Sequence, residues 1–144
     1  MTRPSAMTPR DAVVALVAAR GLDWVVTQCV NAATGESVDE DLVRGLVGGH
    51  ADLILSGREG GIEGYWPRVW ALRALLYAWL DRASLAVRDA LDDESWRARE
   101  MALKVAVRRR VEVDEGSLDR LLADPVERVR AAARRLDVTL HTDS

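Results

Sequence analysis

An all-α fold is predicted by three observations on these 144 residues. Apolar side chains recur at three- and four-residue spacing, with no sustained two-residue alternation of the strand type. The hydrophobic set, 49% of the chain, is built on Ala, Val and Leu, with no Phe and five Trp; side chains this small let helices pack closely. Helix-start signals and glycine stops punctuate the chain at short intervals. The length suits a single domain with a real core, and the apolar content argues against disorder.

Residues 1–8 read as a disordered tail. Thr8-Pro9-Arg10-Asp11 supplies an N-cap, a proline at the first helical position and an acid three residues after the cap, so a first helix is expected over 9–20, stopped by Gly21. Its AVVALVAA stretch has the look of a signal h-region, but Asp11 and the cap favour a helix of the fold. Leu22, Val25, Val26, Cys29, Val30 and Ala33 form a second stripe, ended by Gly35. Ser37-Val38-Asp39-Glu40 reads as a capping box opening a third helix, whose stripe runs through Leu42, Leu46, His50, Leu53 and Ile54 with a break at Gly48-Gly49. These N-terminal helices, 9–57, are expected to pack on the remainder. Gly57 to Gly64 is a flexible loop, with four glycines in eight residues.

Pro67 opens a helix that is apolar nearly all round from Arg68 to Asp81, the signature of a central, covered element. Further helices are expected near 84–92, from Ser95 to about Arg110, from Gly116 or Ser117 to Ala123, and from a cap at Asp124-Pro125 to about Leu136. Three of these carry an internal repeat at an offset of 31: Arg68, Arg99 and Arg130; Ala71, Ala102 and Ala133; Ala74, Val105 and Leu136. A buried Ala per repeat lets neighbouring helices nest, and such hairpins need neighbours to cover their apolar faces. Asp93 and Asp124, also 31 apart, can cap their own helices or pair with an Arg of the adjacent repeat.

Asp124-Pro125-x-x-x-Val129-Arg130-x-x-Ala133-x-x-Leu136 resembles the first helix of a HEAT repeat, in the short form also seen in phycobilisome-lyase-type repeats. The segment from Asp93 through Ala98-Arg99, Ala102 and Val105 resembles it with two substitutions, and the copy around Arg68 lacks the Asp-Pro start. The likeness spans 65–137. It implies a short α-solenoid, a right-handed stack of helical hairpins, within a single domain, and a family composed mostly of protein-binding scaffolds.

Charge is unevenly spread. The net charge is −3, unlike a general polyanion binder, yet residues 95–135 hold 11 basic and 7 acidic side chains. Arg108-Arg109-Arg110 closes a helix, where cations are favoured, and Arg97, Glu100, Lys104 and Arg108 read as a solvated, salt-bridged outer face. Trp66, Trp70, Arg73 and Tyr77 form one stripe, either an aromatic cradle or, as favoured here, packing against the N-terminal helices with Arg73 over a ring. Cys29 reads as a buried structural thiol, His50 being the only base candidate before the tail. One Cys and two distant His offer no zinc spacing, no metal or cofactor is expected, and no phosphate-binding or dinucleotide motif occurs.

The expectation is therefore a non-enzymatic, cytoplasmic scaffold that docks a protein partner, with no membrane span. In such stacks the shorter second helices line the inner surface, which nominates Arg88, Asp89, Asp92, Asp119 and Arg120 as contacts. A lone last helix leaves a flank for a homodimer through the C-terminal end. The alternative is a nucleic-acid-binding protein related to DNA-alkylation-repeat glycosylases, whose Trp/Arg-rich helices Trp96-Arg97-x-Arg99 resembles faintly; a bilin- or cofactor-handling lyase is a third, by fold analogy.

Overall fold

The structure, a computed structural model, describes residues 8–48 and 65–142. The tail at 1–7, His50, Leu53, Ile54 and the glycine loop lie outside the described residues. Within them the chain forms eight α-helices and no strand.

Local signals place the first two helices. In α1 (Pro9–Arg20) the Thr8 hydroxyl accepts from the Asp11 N–H at 3.1 Å. Gly21, at φ 90°, closes it by donating to the Val17 carbonyl and turns the chain by 120° into α2 (Leu22–Ala33); a side chain is strained at that φ. The cap of α3 (Glu40–Val47) is Asp39 rather than Ser37, its carboxylate accepting from the Leu42 N–H at 3.0 Å. The capping box was read two residues early because Ser37 and Asp39 are both competent caps.

The central helix is shorter than its apolar pattern implies. α4 spans Trp66–Ala74, and the chain then unwinds through i→i+3 turns at Leu75, Leu76 and Tyr77. The stop comes from elsewhere in the chain. Arg109 donates Nε–H to the Leu75 carbonyl at 3.1 Å and Nη2–H to the Leu76 carbonyl at 3.0 Å, meeting the acceptors that a helix end leaves open. Burial, and after it the Arg108 charge, lowers the Arg109 pKa from the usual arginine value.

A 3-10 turn at Asp81–Ala83 leads into α5 (Ser84–Ala90), followed by α6 (Trp96–Arg109). Arg110 ends α6 in the left-handed conformation at φ 53°, a post more often held by glycine. α7 (Glu115–Leu122) starts on Asp114, whose carboxylate takes both the N–H and the hydroxyl of Ser117. α8 runs Glu127–Thr142, well past the expected end at Leu136. No glycine or proline follows Leu136 to halt it, and Thr139 and Thr142 return their hydroxyls to carbonyls one turn back.

The long helices α4, α6 and α8 lie side by side in chain order. α5 packs on α6 and α2, α7 on α8, α2 on α4, and α1 on α3. One continuous core links both ends of the molecule, from Val13, Val26 and Leu42 through Leu72 and Leu103 to Leu136. Ala71, Ala102 and Ala133 are all fully buried between helices. At each step along the row an arginine forks onto an aspartate: Arg68 binds Asp93 at 2.7 and 3.0 Å, and Arg99 binds Asp124 at 2.8 and 3.1 Å. Both aspartates also hold the backbone of their own turn, Asp93 at the Ser95 N–H and Asp124 at the Val126 N–H. Arg130 turns instead to Glu127 of its own helix.

Candidate functional site: an aromatic and cationic groove

The sequence nominated the short-helix face. There Arg88, Asp89, Asp92, Asp119 and Arg120 are all exposed, but they do not form one site. Asp89 and Asp92 border a depression with Arg68, Asp93 and Glu94, and Arg88 borders another with Glu112, Asp114 and Glu115. Asp119 borders neither. Arg120 is occupied by Asp92, 3.4 Å away, and by the Ser117 hydroxyl at 3.1 Å. The first depression sets four acids around Arg68, which is already forked onto Asp93, and the second sets three acids beside Arg88 and His141.

A more developed site lies on the long helices. Between α4 and α6 a groove of about 400 Å³ is lined by Trp66, Trp70, Tyr77 and Trp96, with Val69, Leu76 and Met101 as its apolar floor. Among the described residues four cations border it (Arg73, Arg97, Lys104 and Arg128) against one acid, Glu100. α4 contributes Trp66, Trp70 and Arg73, one helical turn apart on a shared face, and the turns that follow it add Tyr77. α6 contributes Trp96, Arg97, Glu100, Met101 and Lys104, and α8 reaches across with Arg128.

The stripe on α4 was expected to face the N-terminal helices, and Trp70 does pack on Val43 of α3. Its neighbours line the groove because Ala71, Leu72 and Leu75, on the opposite side, are the smaller residues that fit the interior. On α6 the expected Glu100–Lys104 pair is present and Arg108 is exposed, while Arg97, Glu100 and Lys104 also form a wall of the groove. Glu100 is buried at 9% exposure, held by Arg128 at 2.9 Å from α8 and by Lys104 at 3.8 Å from its own helix.

Guanidinium groups cover the rings. Arg97 lies 4.4 Å from the Trp96 ring centre and also over Tyr65 and Trp66, Arg73 over Trp70, Arg108 over Tyr77, and Arg128 over Trp96 from the far side of the groove. Each such contact is worth about 0.5–1 kcal/mol where exposed and more once water is excluded. Arg73 and Arg97 have no carboxylate partner among the described residues. The groove therefore presents unneutralised positive charge beside apolar surface.

The chemistry elsewhere is quiet. Cys29 is fully buried, and burial pushes its thiol up to about 12, so it stays a protonated core residue. Its suggested base, His50, is outside the described residues. His141 is raised above the ordinary histidine value, first by the Asp137 carbonyl and then by the Asp137 charge, in a surface pair on α8. Among the described residues no cluster of His, Cys, Asp or Glu could hold a metal ion, and no single helix is long and apolar enough to cross a membrane.

Met101 and Arg128 were missed as site residues, and Trp96 and Arg97 stood out only for the nucleic-acid alternative, though the repeat carried a signal for all but Met101. The same offset of 31 that aligns the buried alanines aligns Arg97 with Arg128, Arg73 with Lys104, and Tyr65 with Trp96. Repetition at solvent-facing positions marks a shared face as surely as repetition in the core.

No family model, no curated protein and no solved structure matches the chain.

Proposed function

We propose that this chain is a non-enzymatic binding module, a short HEAT-like stack of helical hairpins that docks a partner protein in the groove between α4 and α6. One observation carries the reading: four aromatic rings, an apolar floor and four cations converge on one concavity with a single, already bonded acid. Aromatic residues, Met and Arg are the types enriched where proteins bind one another, with Trp, Tyr and Arg most often dominating the energy. The in-phase Arg68–Asp93 and Arg99–Asp124 forks support the stacked-hairpin reading, since each joins consecutive repeats by the same bond. Such a row of long helices is a stiff platform, which reduces the ordering cost of binding.

Affinity capture from the native cell lysate, followed by mass spectrometry, tests this reading. Wild-type protein is compared with Arg97→Glu/Arg128→Glu in the groove and with Arg88→Glu/Arg120→Glu on the short-helix face. The expected result is a set of proteins lost only with the groove variant. Recovery of the same proteins by all three baits excludes the groove, and loss with the Arg88/Arg120 variant alone moves the site to the short helices.

A further inference from the structure

We propose that the occupant of the groove is an acidic amphipathic helix of the partner protein, an inference that rests on the docking reading above.

Charge gives the sign. Among the described residues two bordering cations, Arg73 and Arg97, have no carboxylate partner, and the Arg128 side chain is 66% exposed despite its bond to Glu100. An incoming carboxylate satisfies Arg73 or Arg97 without displacing any carboxylate of the described residues. A basic or neutral segment leaves them facing apolar surface.

Shape gives the class. From Trp96 to Lys104 the α6 wall spans nine residues, about 12 Å of helix. Apolar anchors at i, i+3 or i+4 and i+7 of a docked helix span about 10 Å, so two to three anchors reach the floor of Val69, Leu76 and Met101. Cations stand toward both ends of that floor, with Arg97 and Arg128 near the start of α6 and Arg73 and Lys104 farther along. This matches a helix with an apolar stripe flanked by acids. Met101 is the kind of unbranched side chain that adapts to varied apolar partners.

Single-stranded nucleic acid is the competing occupant, and the geometry is against it. Stacking of bases needs open ring faces, whereas guanidinium groups already lie over Trp96, Trp66, Trp70 and Tyr77. A polyphosphate also needs a long basic track, and this chain carries a net charge of −3 with four cations at the groove among the described residues.

The test is selection of displayed random peptides of about 16 residues, long enough for four helical turns, on the full chain. Binding of the enriched peptides, and of a thymidine oligonucleotide of about 20 residues, is then measured by Trp fluorescence and polarisation. The variants are Arg97→Glu/Arg128→Glu, Arg73→Glu, and the control Arg88→Glu/Arg120→Glu, each checked by circular dichroism. The proposal expects enriched peptides rich in Glu and Asp with apolar residues at helical spacing. It also expects affinity reduced about tenfold or more by either groove variant, unchanged in the control, and falling as salt rises. Neutral or basic peptides that still lose binding with the groove variants overturn the acidic helix while leaving protein docking intact. Oligonucleotide binding that those variants abolish overturns it in favour of nucleic acid. Peptides indifferent to the groove variants, or no enrichment at all, overturn both the inference and the docking reading.

Discussion

The helices of residues 8–48 and those of residues 66–142 are held together by different means. Both halves bury a core of Val, Leu and Ala, and Leu42 in the first is as completely covered as Leu72 in the second. Their polar contacts differ. In the N-terminal half, Arg20–Asp41 at 3.2 Å joins side chains that are 40% and 67% exposed, and Arg82–Asp23, which ties the two halves together, is similarly open to water. In the C-terminal half, Arg99 and Asp124 are 16% and 6% exposed, joined by two parallel bonds, and Asp124 caps its own turn as well. An exposed pair adds little to stability, while a buried, forked pair fixes one geometry and is damaging to break. The two sheltered forks tie α4 to the turn before α6 and α6 to the turn before α8, whereas Arg120–Asp92 and Arg134–Glu127 of the same half are as open as the N-terminal pairs.

The largest expected effect breaks that contrast directly. Asp124→Ala leaves the Arg99 guanidinium buried without its partner and should lower stability by about 3–5 kcal/mol in urea denaturation. A loss no greater than that of a surface pair would mean that the forks do not set the stacking. Next come Leu42→Ala and Leu72→Ala, one in each half. Both should cost about 2–5 kcal/mol, because cavity formation depends on burial and not on which half is cut; a cost confined to Leu72 would show the N-terminal helices to be loosely attached. Arg109→Met keeps much of the side-chain bulk but leaves the Leu75 and Leu76 carbonyls unmet, and should cost about 1–3 kcal/mol. Faster amide exchange around residues 75–78 would place the damage at the end of α4. At the small end, Asp41→Ala should change stability by no more than about 0.5 kcal/mol.

Acid sharpens the comparison from another side. The Ser117 backbone N–H, and then its hydroxyl, lower the Asp114 pKa from the ordinary aspartate value, and Arg134 followed by Arg130 do the same for Glu127. For a lowered carboxylate, stability is present above the unfolded value, near pH 4, and is lost as pH falls through the folded one. Asp114→Ala should therefore show a smaller drop in melting temperature than wild type between about pH 5 and about pH 2. Equal drops would show that Asp114 contributes nothing through its charge.

Much of the fold was legible because its signals are local. Thr8-Pro9 and Gly21 bound α1 by satisfying backbone groups within four residues of themselves. The in-phase arginines, alanines and aspartates could be read as a pattern before any contact was known. The errors fall where the deciding group is remote or where two local signals compete. Asp39 outcompetes Ser37 as a cap although both have suitable side chains. α4 ends at Ala74 because of Arg109, which lies 34 residues from the carbonyl of Leu75 and which no pattern within α4 could announce. The groove was half legible: its α4 stripe stood out in the sequence, but the direction that stripe faces did not.

Helix type, the positions of most caps and the periodic buried alanines are properties of the chain as written, since each rests on hydrogen bonds or spacing within a few residues. Tertiary structure decided which face of α4 meets the interior, where that helix stops, and that Arg97, Arg128 and three tryptophans surround one concavity. Those outcomes depend on packing between helices distant in sequence, where small side chains take the interior and leave the bulky rings and cations at its edge.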